Sequence, residues 1–233
     1  MQKKPIIGII GRTDNIDGIN VIQMNENYRL SIIKSGGLPI IIVPVDSEKY
    51  NQKNENHRKL NNKEKKDLLD VLSLCDGILI TGGTRWHEFD EIICNYAIKN
   101  NIPILGICLG MQIMSNMDNF CGTLESDQTI RNDTILNHFQ ENTKYIHRIT
   151  LMPGILEKVL KDKDIMVNSR HNYHSANSNS FKIEAYSEDN LIEAISIPDC
   201  DFAIGVQWHP EDMIEYDNKM LDLFKNFIKS CNK

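Results

Sequence analysis

Nine residues, at positions 104–112, constrain the fold of this chain more than any other segment. A short apolar run indicates a buried strand, a cysteine follows it, and a helix-like stretch begins directly afterwards. Gly106 and Gly110 stand two residues before and two residues after Cys108, a spacing that lets the backbone turn tightly around a nucleophile. A buried cysteine without a catalytic role is the alternative, but it needs no such flanking glycines. The segment therefore predicts a strand-to-helix turn that presents a reactive thiol.

A second apolar strand, at 202–208, is followed by the tripeptide His-Pro-Glu at 209–211. A thiolate nucleophile needs a neighbouring imidazole that takes its proton and returns it to the leaving group. A carboxylate in turn fixes the tautomer and the orientation of that imidazole. Two residues apart in an extended segment, His209 and Glu211 can point their side chains the same way. We therefore predict a catalytic set of Cys108, His209 and Glu211.

The chain as a whole alternates strand and helix patterns, as doubly wound sheets do. A length of 233 residues suits a single α/β domain, and no linker or internal repeat divides 1–233. The polar segment 47–67 is predicted to be a solvated loop that runs into a helix ending near Cys75. The predicted strands are 5–10, 38–43, 78–80, 104–107, 145–151, 182–186, 191–197 and 202–208, and the predicted helices are 24–34, 88–100 and one that buries Leu221, Phe224, Phe227 and Ile228.

Composition excludes several classes of function. The net charge of −6, from 26 basic and 32 acidic residues, offers no basic stripe for nucleic acid. Neither a signal sequence nor an apolar run long enough to cross a bilayer is present, so we expect a cytoplasmic protein without membrane contact. The six cysteines are scattered in spacing, which favours reduced thiols over disulfides.

The sequence carries no motif for a cofactor or a metal ion. Both the Gly-x-Gly-x-x-Gly pattern and the Walker pattern are absent, so we expect no nucleotide or redox cofactor. A zinc site needs convergent ligands at a recognisable spacing. His138, His147, His171 and His174 lack such a spacing, and we interpret them as scattered histidines at the rim of a pocket. The prediction is therefore that no metal is bound.

Gly-Ile-Cys-Leu-Gly-Met-Gln around Cys108 and Gly-Val-Gln-Trp-His-Pro-Glu around His209 together resemble the class I glutamine amidotransferase superfamily. Trp208, the segment Val-Asn-Ser-x-His at 167–171 and Ser-Gly-Gly-Leu-Pro-Ile at 35–40 resemble one branch, the γ-glutamyl-γ-aminobutyrate hydrolase-like cysteine peptidases. The resemblance runs from about 6 to 228 and is weakest at 47–67 and 121–143. It implies a flavodoxin-like α/β fold, a mostly parallel sheet with helices on both faces.

The resemblance also implies where the oxyanion hole lies. Acyl transfer passes through an oxyanion that two preorganised backbone N–H groups must stabilise. Leu109, directly after the nucleophile, supplies one of them. Thr81-Gly82-Gly83 matches the family's Gly-Gly segment, so Gly83 is expected to supply the other. An ordinary pair of turn glycines is the alternative for this segment.

The segment 167–171 matches the family stretch that faces the γ-glutamyl group of the substrate. The branch usually continues His-Gln after His171, where this chain has Asn172 and Tyr173, and it usually has an aspartate after the Gly-Gly segment, where this chain has Thr-Arg-Trp-His at 84–87. These departures leave the chemistry in place and put the preferred leaving group in doubt. The residues expected to bind the substrate are Gln112, Asn168, Ser169, Arg170 and His171.

The resemblance implies a cysteine hydrolase of γ-glutamyl amides that acts through a γ-glutamyl thioester and releases glutamate and an amine. A glutaminase subunit that supplies ammonia to a separate synthetase shares the motifs and stays open, although Trp208 and the segment 167–171 favour the hydrolase. A non-catalytic scaffold or sensor is the third hypothesis, and the intact Cys-His-Glu set disfavours it. The expected partner is a small-molecule γ-glutamyl amide, and a homodimer is compatible with the sequence. A synthetase partner belongs to the glutaminase hypothesis alone.

Overall fold

The computed structural model of this chain describes residues 3–47, 59–117, 129–131, 136–141 and 143–232. In chain order the strands are β1 (Ile6–Ile10), β2 (Arg12–Ile16), β3 (Ile19–Gln23), β4 (Leu38–Ile42), β5 (Gly77–Ile80), β6 (Ile104–Ile107), β7 (Thr129–Arg131), β8 (His147–Leu151), β9 (Asp164–Val167), β10 (Tyr173–Ser175), β11 (Lys182–Ser187), β12 (Ile192–Ser196) and β13 (Ala203–Val206). The α-helices are α1 (Glu26–Lys34), α2 (Asn62–Leu72), α3 (Glu88–Lys99), α4 (Leu109–Ser115), α5 (Ile155–Leu160) and α6 (Asn218–Ser230).

One sheet organises the described structure, with the strand order β4-β1-β5-β6-β13-β12-β11-β8-β9. Neighbouring strands from β4 to β13 pair in parallel, in the order typical of flavodoxin-like sheets. Strands β12, β11, β8 and β9 extend the sheet with antiparallel pairs. The predicted doubly wound sheet is therefore confirmed. In such sheets ligands bind beyond the carboxyl ends of the parallel strands, where the strand order reverses.

Apolar side chains cover both faces of this sheet. Because side chains alternate along a strand, Ile9 and Ile10 of β1 enter different cores. Ile9 packs in a core with residues of α1, α5 and α6, among them Phe224. Ile10 packs in a second core with residues of α2, α3 and α4, among them Phe89. Within the described ranges, no helix has the length and apolar character that crossing a membrane requires.

Helix α2 begins earlier than the sequence pattern indicates. We predicted a solvated loop through residue 67, but the helix starts at Asn62. The Asn61 side chain accepts the Glu64 N–H at 3.0 Å, and the Glu64 carboxylate accepts the Asn61 N–H at 2.8 Å. This reciprocal capping box stabilises the first turn of α2, a helix in which charged residues predominate. Residues 48–58 of the predicted loop lie outside the described residues.

Several elements were not predicted, and the most consequential is the hairpin of β2 and β3. Its turn is Asp17-Gly18, with φ values of 50° and 84°. Two consecutive residues with positive φ form the tight turn that matches the twist of a hairpin, and Asp-Gly is a common choice for it. That dipeptide between Ile16 and Ile19 was the available signal. The short elements α5, β7, β9 and β10 were also missed.

Helix α4 lies unusually close to the sheet. A Cβ atom on Gly106 would overlap the Met114 side chain and the Gly110 backbone, and one on Gly110 would overlap the Ile80 carbonyl. Both positions therefore require glycine because of space, and neither has a positive φ. The resulting contact seats the start of α4 on β5 and β6.

We expect Gly110→Ala to lower the free energy of unfolding by about 3 kcal/mol, because the added methyl group must displace the Ile80 backbone. Gly36→Ala is the matched control. Gly36 has a φ of 98° but open space around its Cβ position, so alanine there introduces only left-handed strain of about 1 kcal/mol. Urea denaturation with unchanged m values measures both losses. Equal losses in the two variants would contradict the close approach of α4.

Candidate active site

Cys108 occupies the turn between β6 and α4, with φ of 54° and ψ of −105°. A non-glycine residue in this left-handed region carries about 1–3 kcal/mol of backbone strain, as nucleophile elbows do. The Cys108 N–H donates to the Val206 carbonyl at 2.8 Å, and the Cys108 carbonyl accepts the Gln112 N–H at 3.2 Å. These bonds, together with the close packing of α4, hold the strained turn that the sequence predicted.

His209 follows β13, the strand that pairs with β6 on the side away from β5. Its Nδ1 lies 2.7 Å from Glu211 Oε1. A 3-10 turn at Pro210–Asp212, instead of the extended segment that we expected, brings Glu211 to the ring. Asn168 holds the His209 backbone twice: its Oδ1 accepts the N–H, and its Nδ2 donates to the carbonyl, both at 2.8 Å. Because Nδ1 faces Glu211, the ring offers Nε2 to the Cys108 thiol, its hydrogen-bond partner.

The three side chains form a buried, coupled charge system. Burial alone would raise the pKa of the Cys108 thiol, but the charge of His209 and its hydrogen bond outweigh burial and lower that pKa. Burial likewise opposes the protonated form of His209, yet Glu211 and Cys108 raise the pKa of the imidazole. The arrangement therefore favours a thiolate beside an imidazolium, with the Glu211 carboxylate as the second counter-charge.

Tyr28 of α1 supports this system from the other side. Its hydroxyl oxygen accepts the Gly82 N–H at 2.9 Å. Burial, followed by the charge of Glu211, raises the pKa of Tyr28 well above its ordinary value, so the hydroxyl stays protonated beside that carboxylate. The sequence pattern predicted only a helix at 24–34 and gave no signal for this role.

Arg12 immobilises the glycine loop after β5. Its Nη1 lies 2.6 Å from the fully buried Asp90 carboxylate, and its Nη2 donates to the Thr81 carbonyl at 2.8 Å. Its Nε lies 3.1 Å from Thr81 Oγ1 and 3.2 Å from the Gly82 carbonyl oxygen. A trans peptide points its N–H opposite to its carbonyl, so the Gly83 N–H is directed away from Arg12. Arg12 was missed, although it stands just past the carboxyl end of β1, where such sites collect.

Gly83 and Leu109, the two residues expected to supply the oxyanion donors, lie next to each other in the structure. A Cβ atom at Gly83 would lie 3.1 Å from Leu109 Cδ2. Leu109 is the first residue of α4, where N–H groups have no partner within the helix. Among the residues that the structure describes, neither amide donates a hydrogen bond. Both N–H groups are therefore available to a ligand.

A cavity of about 420 Å³ opens beside this site. Its walls come from the loops after β1 and β5, the β2–β3 hairpin, α1 and the segment after β13. Cys108 lies just behind the wall, since a Cβ on the lining residue Gly82 would be 3.6 Å from its Cβ. Trp86 does not face this space, because it is buried with its indole N–H donated to Glu91 at 3.1 Å. The charged lining side chains are Arg12, Asp14, Arg85, Arg170, Glu211 and the protonated His209.

Only one of the five residues expected to bind the substrate, Arg170, lines the cavity, and its guanidinium pairs with Asp212. Gln112 instead donates from Nε2 to the Tyr173 carbonyl at 3.0 Å. Asn168 is occupied with the backbone of His209. The amides of Gln112 and Asn168 therefore bond within the protein and do not line the cavity.

Ser169 and His171 also lie away from the cavity. Side chains alternate along the extended segment 167–171, so these two point opposite to Asn168 and Arg170. Ser169 donates to the His138 carbonyl at 2.7 Å. His171 is buried in a cluster with His138, His147 and Glu193. Neither of these two side chains lines the cavity.

We expect iodoacetamide to alkylate Cys108 before Cys75, Cys94 or Cys200, because burial raises the pKa of each of those thiols, that of Cys75 to about 11. In His209→Ala the burial of Cys108 remains while the compensating charge is lost. Its pKa should then rise above the ordinary value, and its alkylation at pH 7 should slow by at least about 10-fold. Peptide mapping by mass spectrometry measures each site. An unchanged Cys108 rate in His209→Ala would contradict the ion pair, and Cys200 in the same sample is the internal control.

Known proteins are similar to this chain in both sequence and fold. The family model described as Peptidase C26 matches residues 84–211. A glutamine amidotransferase-like protein of Rickettsia prowazekii is 28% identical, with 99% of each chain covered. The γ-glutamyl-γ-aminobutyrate hydrolase PuuD of Escherichia coli is 27% identical, with 99% of this chain and 95% of the relative covered.

Among solved structures, the glutaminase domain of CTPS from Trypanosoma brucei, determined with bound acivicin, matches with a TM-score of 0.63 at 16% identity. The match covers 97% of this chain and 93% of that one. It confirms the flavodoxin-like arrangement that the motifs implied. With a family model that spans more than half of its length, this chain belongs to the Peptidase C26 family, on the class I glutamine amidotransferase-like fold.

Proposed function

We propose that this chain is a cysteine-dependent hydrolase of γ-glutamyl amide bonds. The observation that carries the proposal is the Cys108 thiol, held in a strained elbow and hydrogen-bonded to a histidine that Glu211 orients. Similarity over nearly the full length to a relative named γ-glutamyl-γ-aminobutyrate hydrolase supports this substrate class. The products are glutamate and an amine.

In the proposed reaction the Cys108 thiolate attacks the γ-carbonyl carbon of the substrate and forms a C–S bond. The resulting oxyanion collapses, the C–N bond breaks, and His209 Nε2 gives its proton to the departing amine. His209 then accepts a proton from water, which attacks the γ-glutamyl thioester. The C–S bond breaks, glutamate leaves, and the thiolate beside an imidazolium is restored. Glu211 keeps Nδ1 protonated throughout, so that Nε2 is the nitrogen that exchanges the proton.

The oxyanion donors in this proposal are the N–H groups of Gly83 and Leu109. Arg12 supports the assignment, because its hydrogen bond to the Gly82 carbonyl fixes the direction of the Gly83 N–H before any substrate binds. In many enzymes, preorganised hydrogen-bond donors of this kind supply most of the rate enhancement. A hole that is formed in the isolated chain suits an enzyme that acts alone.

The substrate's α-carboxylate would meet a cavity with positive charge. Arg85 and Arg170 both line it, and a guanidinium can bind a carboxylate through two parallel hydrogen bonds. Arg170 already pairs with Asp212, which orients its fork. The leaving amine would occupy the remaining space beside the β2–β3 hairpin.

A glutaminase subunit that feeds ammonia to a synthetase is the second candidate function. It would use the same nucleophile, and CTP synthase of Mycoplasma capricolum is 32% identical over 69% of this chain. The chain covers 35% of that relative, so the similarity concerns one part of it. Such subunits gain from leaving the oxyanion hole unformed until a partner binds, and the fixed loop at Arg12 argues against that behaviour. A non-catalytic scaffold has no need of a strained, charged cysteine.

We expect Arg12→Lys to lower kcat by about 10- to 100-fold with a smaller change in KM. Lysine keeps a charge beside Asp90 but lacks the planar fork that holds Thr81 and Gly82 together, so the Gly83 N–H loses its direction. Arg29→Lys, in an exposed pair with Glu26, is the control that keeps its activity. Steady-state kinetics of the folded variants measures the separate changes in kcat and KM. A rise in KM at constant kcat would assign Arg12 to substrate binding instead.

The proposed function is tested by glutamate release from the purified chain with a panel of γ-glutamyl amines, γ-glutamyl peptides and glutamine. We expect kcat/KM on the order of 10⁴ M⁻¹s⁻¹ or better for at least one γ-glutamyl amide. Glutamine should be poorer, because ammonia leaves the binding energy of the amine pocket unused. Cys108→Ala should abolish release, and Cys200→Ala, at a partly exposed cysteine far from the elbow, should not.

Addition of cell extract separates the two enzymatic candidates. Activity that is highest on glutamine, and that appears only with extract, would replace the hydrolase with the glutaminase subunit. No glutamate release from any substrate in either condition, with Cys108 unreactive to alkylation, would favour the scaffold.

A further inference from the structure

Four buried side chains converge on one point behind the active site. His138, His147, His171 and Glu193 come from four separate segments of the antiparallel half of the structure, and their side chains are at most 1% exposed. Glu193 Oε1 lies 3.5 Å from His138 Nδ1, 3.5 Å from His147 Nε2 and 3.4 Å from His171 Nε2. All four donor atoms lie within 4.8 Å of one another.

In each ring the nitrogen that points away from Glu193 faces a hydrogen-bond acceptor. A carboxylate or a carbonyl only accepts, so the outer nitrogens carry the hydrogens. In a neutral ring the inner nitrogen then presents a lone pair to the cluster. The acceptors are Asp189 Oδ2 for His138 at 2.9 Å, the Arg148 carbonyl for His147 at 3.3 Å and the Tyr173 carbonyl for His171 at 3.1 Å.

Several hydrogen-bond acceptors therefore converge in the buried interior of the cluster. Within the described residues, Glu193 Oε2 and His147 Nε2 have no hydrogen-bond partner. Ser169 Oγ lies 3.5 Å from His138 Nδ1 but donates its hydrogen to the His138 carbonyl. Acceptors that face one another in the interior repel, and a positive charge between them would offset that cost.

Protons on the rings are a poor source of that charge. Hydrogen bonds from an imidazolium to a carboxylate are typically about 2.7–2.9 Å long, and the three N···O separations here are longer. Bonds of about 2.0–2.2 Å from a central tetrahedral ion would instead separate neighbouring donor atoms by about 3.3–3.6 Å. One divalent cation would also balance the two carboxylates, Glu193 in the cluster and Asp189 behind His138.

We propose that His138, His147, His171 and Glu193 bind one divalent transition-metal ion of the zinc class. Three imidazoles and one carboxylate suit Zn²⁺, and outer acceptors that fix each ring are the usual second layer of such sites. Four protein ligands leave no open position, so the ion is structural. The Tyr173 carbonyl accepts from both His171 and Gln112 Nε2, which ties the site to the helix that follows Cys108.

The structure corrects the expectation of scattered rim histidines, and the proposed ion is an alternative to the expectation of no metal. His138, His147 and His171 lie in the interior, and only His174 stays outside the cluster. The ligands are separated by 9, 24 and 22 positions along the chain, a spacing that matches no short metal motif. Only the folded structure brings them together, through the sheet and through the bridge between the segments of His138 and His171.

The test is the metal content of the full chain, purified without added metal or an affinity tag that binds metal. Elemental analysis should give about one equivalent of a divalent transition metal for wild type and for His174→Gln, the matched control beside the cluster. Glu193→Gln should contain far less, and Asp189→Asn should bind Zn²⁺ about 10- to 100-fold more weakly. After removal of metal by a chelator, Zn²⁺ should raise the melting temperature of wild type and of the control, but not that of Glu193→Gln.

Cobalt distinguishes the proposed site from surface binding and does not require any variant to fold. Co²⁺ added to metal-free wild type should give the intense visible absorption of a four-coordinate site, saturating at one equivalent. Less than about 0.1 equivalent of metal in the purified protein, with no such absorption on addition of Co²⁺, would overturn the proposal. So would Glu193→Gln with metal content equal to wild type.

Discussion

The close approach of α4 to the sheet is the constraint on which the active site depends. Only glycine fits at 106 and 110, because the Gly110 backbone lies against Ile80 and the Gly106 backbone lies against the start of the helix. Between these two contacts Cys108 adopts a conformation with positive φ. Because β6 pairs with β13, the thiol lies beside the strand that His209 follows. Packing at two glycines thereby determines where the nucleophile stands.

A buried charge system of this kind costs free energy unless polar groups hold every member in place. Here these groups come from distant parts of the chain. Asn168 holds the backbone of His209, and Tyr28 places a neutral hydroxyl beside Glu211. Arg12 clamps the loop after β5 and is itself neutralised by the buried Asp90. The residues that make contacts within the chain are therefore as important to the site as those that would contact the substrate.

The two halves of the sheet serve different purposes. The parallel half ends in the loops that carry Cys108, the glycine segment and Arg12, as expected where strand order reverses. The antiparallel half carries the histidine cluster around Glu193 and supplies Asn168 and Arg170 through the segment after β9. Alternation along that segment sends Asn168 and Arg170 toward the nucleophile and Ser169 and His171 toward the cluster. One short stretch thus connects the reactive side to the interior behind it.

The sequence by itself determined the doubly wound sheet, the elbow at Cys108 and the pairing of His209 with Glu211, because each rests on a local pattern. Alternating apolar runs, flanking glycines and a two-residue spacing are visible without knowing what lies nearby. Tertiary structure alone decided which polar side chains face the cavity. Arg12 lies 69 positions from Thr81, and Glu193 lies 55 positions from His138, so nothing in the neighbouring residues marks either contact. Such contacts depend on strand order and on which face of a strand a residue occupies. Neither property is fixed until the sheet has formed, so neither can be read from the sequence.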